Sequence, residues 1–333
     1  MDSRIQYIDK LKGGAIILVV VGHIAEMSLG INDTLFNEIY RSFHMPLFMF
    51  LSGIFAYNLF YKQPKILISD ILKFFWKKTT RVVIPFISVG ILYSVMGGGS
   101  PLDALLGNVG KLWFLPALFY CMVLGLIWII ICSCLCKKSC RNPMGELLII
   151  IILYILLVLL YFRGLRFPYY LHALKLFPYF ILGAMFTRYK SVKHMISESA
   201  ISYTISLIFF FIFLYLQWKR VIPVFILYTG LFAIIILIQL FKKYDRQVPL
   251  ILQIIGTYSL EIYLFHYLFI PELKDVVFFQ HIIGCNIIDE NILLYFIIAL
   301  LISVPVILFS ILISFVIKQS KLLNFLFLGS YNK

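Results

Sequence analysis

Ten apolar segments, each close to the ~20 residues that a bilayer core requires, constrain what this chain can fold into more than any other feature. They run over residues 12–29, 43–61, 82–97, 112–134, 146–162, 171–187, 199–217, 221–241, 250–270 and 292–317. In hydrocarbon each must satisfy its backbone internally, so the expected class is all-α: a polytopic membrane bundle of about ten transmembrane helices. With 62% hydrophobic and 13% charged residues, the chain lacks the polar surface that a soluble protein of 333 residues needs. No stretch between the apolar segments is long enough for a separate domain. Residues 1–333 are therefore expected to form a single membrane-embedded domain. The first apolar run is longer than a signal-peptide core and lacks a small-residue cleavage site, which marks it as the first span.

The formal charge of +14 does not point to nucleic acid, because the basic residues sit in short loops between apolar segments. With the N-terminus inside, the outer segments hold only Arg41, Lys111, Arg163, Arg166, Lys175, Lys219, Arg220 and Lys274. The other 21 of the 29 Lys and Arg then lie inside. That bias predicts an N-in, C-in topology. Cys132, Cys134, Cys136 and Cys140 cluster at an inner helix end, where thiols stay reduced, and their spacing matches no metal-binding pattern. No metal site is expected.

Residues 62–81 read as an amphipathic helix lying in the inner interface between spans two and three. Ile68, Leu72, Phe75 and Trp76 supply apolar surface, while Lys73, Lys77 and Arg81 recur every four residues. Attraction to anionic lipid explains such a face; a phosphate-binding face for a cytosolic anionic ligand explains it equally. Pro85 is expected to kink the third span.

Ionisable residues at membrane depth are costly, so they carry the functional reading. Lys12 and His23 are eleven residues apart in the first span. An α-helix places them on one face, roughly 16 Å apart along the axis. Glu26 follows three residues later. His44 opens span two from the outside, His172 opens span six, and His266 lies near the outer end of span nine, with Glu261 deeper. Four of the six histidines thus gather toward the outer side. No H-E-x-x-H or G-x-S-x-G motif is present, and the natural remaining chemistry is general-base work by an imidazole, steered by a carboxylate. For His172 and His266 a structural hydrogen-bonding role is the competing reading.

Four stretches carry a resemblance: Ile8-Asp9-Lys10-Leu11-Lys12-Gly13 running on to Gly22-His23; Phe43-His44-Met45-Pro46-Leu47-Phe48-Met49-Phe50-Leu51-Ser52-Gly53; Leu112-Trp113-Phe114-Leu115-Pro116; and Tyr258-Ser259-Leu260-Glu261-Ile262-Tyr263-Leu264-Phe265-His266. Together they resemble the integral-membrane acyltransferases that modify cell-surface sugars, acyltransferase family three, in particular its short fucose and exopolysaccharide O-acetyltransferase members. The resemblance implies a ten-helix bundle in the bacterial cytoplasmic membrane. It also implies transfer of an acyl group from cytosolic acetyl-CoA to a sugar hydroxyl of a surface polysaccharide or its lipid-linked precursor. The family's basic residue, ten residues, then His appears here as Lys12 to His23, with Lys where Arg is usual. Its Arg-x-x-Arg appears as Lys78-Thr79-Thr80-Arg81.

The resulting expectation places His23, Glu26 and His44 at the chemistry, with His23 as base or acyl carrier. Lys12, Lys73, Lys77, Lys78 and Arg81 are expected to hold the donor's phosphates. His266, Glu261, His172, Arg163 and Arg166 are expected to meet the acceptor, the two arginines also being ordinary interfacial residues. Expected partners are the saccharide acceptor, membrane lipid, and a second copy or polysaccharide-biosynthesis machinery. The rival readings are an exporter of a polysaccharide or lipid-linked sugar, and an O-succinyltransferase.

Overall fold

The computed structural model describes residues 6–30, 35–57, 60, 66–105, 110–135, 143–165, 167–219, 225–273, 276 and 292–330. Among these residues the protein is helical, without a strand. In chain order the helices are α1 (Gln6–His23), α2 (Leu35–Ala56), α3 (Ile68–Lys78), α4 (Ile84–Met96), α5 (Phe114–Leu135), α6 (Pro143–Phe162), α7 (Tyr170–Arg188), α8 (Lys190–Ser197), α9 (Ala200–Trp218), α10 (Phe225–Lys243), α11 (Leu250–Thr257), α12 (Ser259–Phe265), α13 (Ile292–Lys318) and α14 (Lys321–Leu328). Six helical stretches among the described residues are long and apolar enough to cross a membrane: Gln6–Ser28, Ile68–Met96, Phe114–Cys134, Met144–Phe162, Ala200–Trp218 and Leu294–Lys318. The other four expected spans are helical too, but hold no helix of that length and apolarity among the described residues.

Two expected elements take a different form. The amphipathic segment, of which 62–65 lie outside the described residues, forms α3 and is not separated from the span that follows. It runs through a π turn at Thr79–Val83 straight into α4, so one helical stretch covers Ile68–Met96. The π turn lies just before Pro85, which has no N–H to give the carbonyl four residues back. The ninth span is broken. α11 ends at Thr257, α12 restarts at Ser259, and a 3-10 turn at His266–Leu268 closes the segment.

The chain divides into two compact units, Met1–Phe48 with His194–Val316, and Met49–Lys193 with Ile317–Lys333. In the first, α1 packs most extensively on α11 and also touches α10, while α9 and α10 form a pair. Helices in lipid gain nothing from burying apolar groups against each other, so close packing must hold them. The α1–α11 contact achieves it with a reciprocal glycine pair. A Cβ at Gly13 would strike the Leu252 carbonyl, and one at Gly256 would strike the Asp9 carbonyl. At the same end of α1, Lys10, 3% exposed, pairs with Asp245 Oδ1 at 2.9 Å and also donates to the Asp245 carbonyl.

In the second unit α5 packs on α7, with α6 against both, and α14 packs on α4. A second reciprocal pair lets α2 and α7 touch, because Gly53 faces the Phe180 carbonyl and Gly183 the Phe50 carbonyl. The Tyr57 hydroxyl donates to the Met122 carbonyl at 2.7 Å, and Thr187 to the Ile54 carbonyl at 2.9 Å. Glu146, fully buried in the first turn of α6, is ion-paired with Arg188, whose guanidinium lies 5.8 Å from the Trp128 ring.

Candidate functional site

His23 is the last residue of α1, where the backbone loosens into a π turn over Ile24–Ser28, closed by the Leu29 N–H on the Ile24 carbonyl at 3.0 Å. Such turns recur at functional positions because they re-aim side chains out of the α-helical phase. The Tyr267 phenol oxygen lies over the His23 ring, 2.9 Å from Nε2 and 3.4 Å from Nδ1. The His266 ring stacks on that of His23, with centroids 5.4 Å apart and planes 21° apart. The Tyr267 ring lies 4.8 Å from His23 and 4.2 Å from His266. His266 and Tyr267, successive residues of the 3-10 turn, both lie against the His23 ring.

The neighbouring imidazoles have defined tautomers. His266 Nδ1 is 2.9 Å from the Ile262 carbonyl, and His44 Nδ1 is 2.5 Å from the Tyr40 carbonyl. A carbonyl oxygen only accepts, so each Nδ1 carries the proton and each Nε2 offers a lone pair. Both residues are buried. The Tyr40 and His44 rings lie 5.2 Å apart.

Glu26 sits inside the π turn, one turn beyond His23, and its carboxylate is engaged elsewhere than on the imidazole. Its Oε1 accepts from the Tyr40 hydroxyl at 2.5 Å, from Arg41 Nε at 2.8 Å and from Arg41 Nη2 at 2.5 Å. The first unit thus brings together His23, His266, Tyr267, Glu26, Tyr40, Arg41 and His44 from α1, α2 and the end of the ninth span. Glu261 stands half-buried in the first turn of α12.

The cationic candidates divide between the units. Lys12, on α1, has Asp9 Oδ1 3.5 Å from its ammonium and is 23% exposed. In the second unit Lys73, Lys77 and Arg81 are exposed. Lys78 is half-buried, with its ammonium 5.4 Å from the Phe74 ring. The same helix leaves Ile68, Leu72 and Trp76 exposed at four-residue spacing beside the cations, while Asp70 and Phe74 are buried. Of the outer candidates, His172 is exposed and lies 4.7 Å from the Trp113 ring, and Arg163 is exposed in the turn after α6. Arg166 lies outside the described residues. No group of three metal-ligating residues occurs among those described.

Sequence reasoning missed Tyr267, Tyr40 and Arg41. Tyr267 follows directly on His266, but one Tyr among 21 carries no signal by itself. Arg41 entered only as an outer charge, although it lies three residues before His44 in the second span's motif.

An imidazole stacked among buried rings, with a phenol oxygen against its face, suits abstraction of a hydroxyl proton and its return to a leaving group. In comparison with known proteins, a family model described as an acyltransferase domain, of acyltransferase family three, matches residues 5–317. Neither the curated proteins nor the solved structures contain a match.

Proposed function

This chain belongs to acyltransferase family three, and from that premise we propose that it transfers an acetyl group from cytosolic acetyl-CoA to a sugar hydroxyl of a cell-surface polysaccharide or its lipid-linked precursor. The membrane is then the bacterial cytoplasmic one, crossed repeatedly, with both chain ends inside. The observation that carries the reading is the His23 ring, stacked with His266 and with the Tyr267 phenol against it, on the helix that also bears Lys12.

In this reading the acceptor oxygen attacks the thioester carbonyl as its proton moves toward His23. The tetrahedral intermediate collapses, the C–S bond breaks, and the thiolate recovers the proton. His44 and His266 line the acceptor side. Lys12, on the helix that bears His23, serves the donor; Lys73, Lys77, Lys78 and Arg81 remain candidates for its phosphates, where Lys offers a point charge and Arg a fork. His172, Arg163, Arg166 and Glu261 remain acceptor-side candidates.

The test is His23→Ala in cells that make the polysaccharide, with base-labile acetyl on the surface measured against membrane abundance of the protein. Acetylation is lost while the protein stays inserted. Retained acetylation would remove His23 from the centre. A mass increment of the surface polymer matching succinyl instead of acetyl would reassign the donor.

A further inference from the structure

Resting on the reading of Lys78 and Arg81 as residues for the donor's phosphates, we propose that Gly329 is a positioning residue for acetyl-CoA. Through it the C-terminal helix α14 docks on the π turn that follows Lys78 and carries Arg81, and holds that turn in its binding geometry. The contact lies beyond residue 317, where the family match ends. It is made within the second unit, where α14 packs on α4.

The π turn leaves a place for it. The Ile84 N–H goes to the Thr79 carbonyl, and Pro85, next in line, has no N–H to give. Neither the α-type donor nor the π-type donor therefore closes on the Thr80 carbonyl. Gly329 stands against that carbonyl. It caps α14 in the left-handed region, at φ 62°, with its N–H on the Phe325 carbonyl at 3.0 Å. A Cβ at this position would strike the Thr80 carbonyl oxygen and crowd Arg81 Cα, so glycine is what lets the two backbones meet. Both sides of the contact are anchored. Thr80 is buried and donates its hydroxyl to the Lys77 carbonyl at 3.1 Å. On α14, Asn324 and Leu328 are buried, and the Ser330 hydroxyl donates to Asn324 Oδ1 at 2.8 Å. Arg81 is exposed and Lys78 half-buried. The backbone that sets their spacing is thus fixed from one side while the guanidinium stays open to a ligand.

The experiment titrates the full chain in lipid nanodiscs with acetyl-CoA by calorimetry, which reads the Kd and the binding stoichiometry separately. Gly329→Asn keeps a left-handed cap, which Asn tolerates, and adds the Cβ that meets Thr80. It is expected to raise the Kd about tenfold, the loss of roughly one charge-assisted bond, at full stoichiometry. Leu328→Ala loosens α14 without adding an atom and is expected to move the Kd in the same direction, so it decides if the Asn variant fails to fold. Gly98→Ala is the control for backbone strain alone, with φ 74° and nothing within 4 Å of its Cβ, and should leave the Kd unchanged. A role confined to stability lowers the stoichiometry and leaves the Kd unmoved, which overturns the proposal. Lys78→Gln with Arg81→Gln separates the proposal from the reading beneath it. A raised Kd in that double variant, beside a wild-type Kd in both α14 variants, overturns the role of Gly329 alone. An unmoved Kd in the double variant overturns the phosphate reading of Lys78 and Arg81, and the role of Gly329 with it.

Discussion

Gly256→Ala perturbs the candidate site from a distance, through a contact that the structure defines atom by atom. The added Cβ falls on the Asp9 carbonyl oxygen and close to the Gly13 nitrogen, all of it backbone that cannot rotate away. α1 and α11 must therefore part by roughly 1 Å or more, a form of overpacking that costs about 1–3 kcal/mol. The displacement also travels. His23 is ten residues beyond Gly13 on α1, and Tyr267 is eleven beyond Gly256 on the chain that continues from α11, so both partners of the 2.9 Å contact follow the helices being separated. A misplacement of about 1 Å at the reacting groups is enough for about a 10²-fold loss of rate. Gly145→Ala is the control: it lies in the first turn of α6, and its Cβ meets nothing within 4 Å. It should be neutral or stabilising by up to about 1 kcal/mol. The assay is thermal unfolding in one detergent, together with sugar-dependent thiol release from acetyl-CoA. If Gly256→Ala melts and turns over like the wild type, the two helices do not touch there, and the account of how His23 meets Tyr267 fails.

Three further outcomes follow from buried or exposed charges. Glu146→Ala strands the Arg188 guanidinium, only 10% exposed, and should destabilise by about 3–5 kcal/mol in the same melt. The double change Glu146→Met with Arg188→Met should recover most of that loss, and a double no better than the single would refute a paired role. Glu26→Gln weakens the bonds to Tyr40 and Arg41, but Arg41 is about a third exposed, so the loss should be nearer ~1 kcal/mol. Because the Glu26 carboxylate does not bond the imidazole, kcat should change only a few-fold; a collapse of kcat with unchanged stability would restore it to the chemistry. Reversing the exposed charges with Lys77→Glu and Arg81→Glu should raise the KM for acetyl-CoA about tenfold, less at high salt, with kcat retained. An unmoved KM would place the donor's phosphates elsewhere.

Much of the first unit's site was legible in the chain, because its signals are local. His23 interrupts an apolar run and shares a helix with Lys12, and His266 closes a motif that stands out from its surroundings. Glu26 follows His23 by three residues, but its partners, Tyr40 and Arg41, come from α2 and no periodicity points to them.

Apolar segment length, loop charge and composition determined by themselves that this is an all-helical membrane protein with an imidazole on its first span, because bilayer thickness and backbone hydrogen bonding act on each segment separately. Only the tertiary structure decided that the ninth span breaks at Tyr258, that Tyr267 lies against His23, and that Glu146 meets Arg188 across 42 residues. Those pairings depend on where separate helices come to lie. That placement is set by contacts such as Gly13 against Leu252, which involve residues far apart in the chain and leave no local trace.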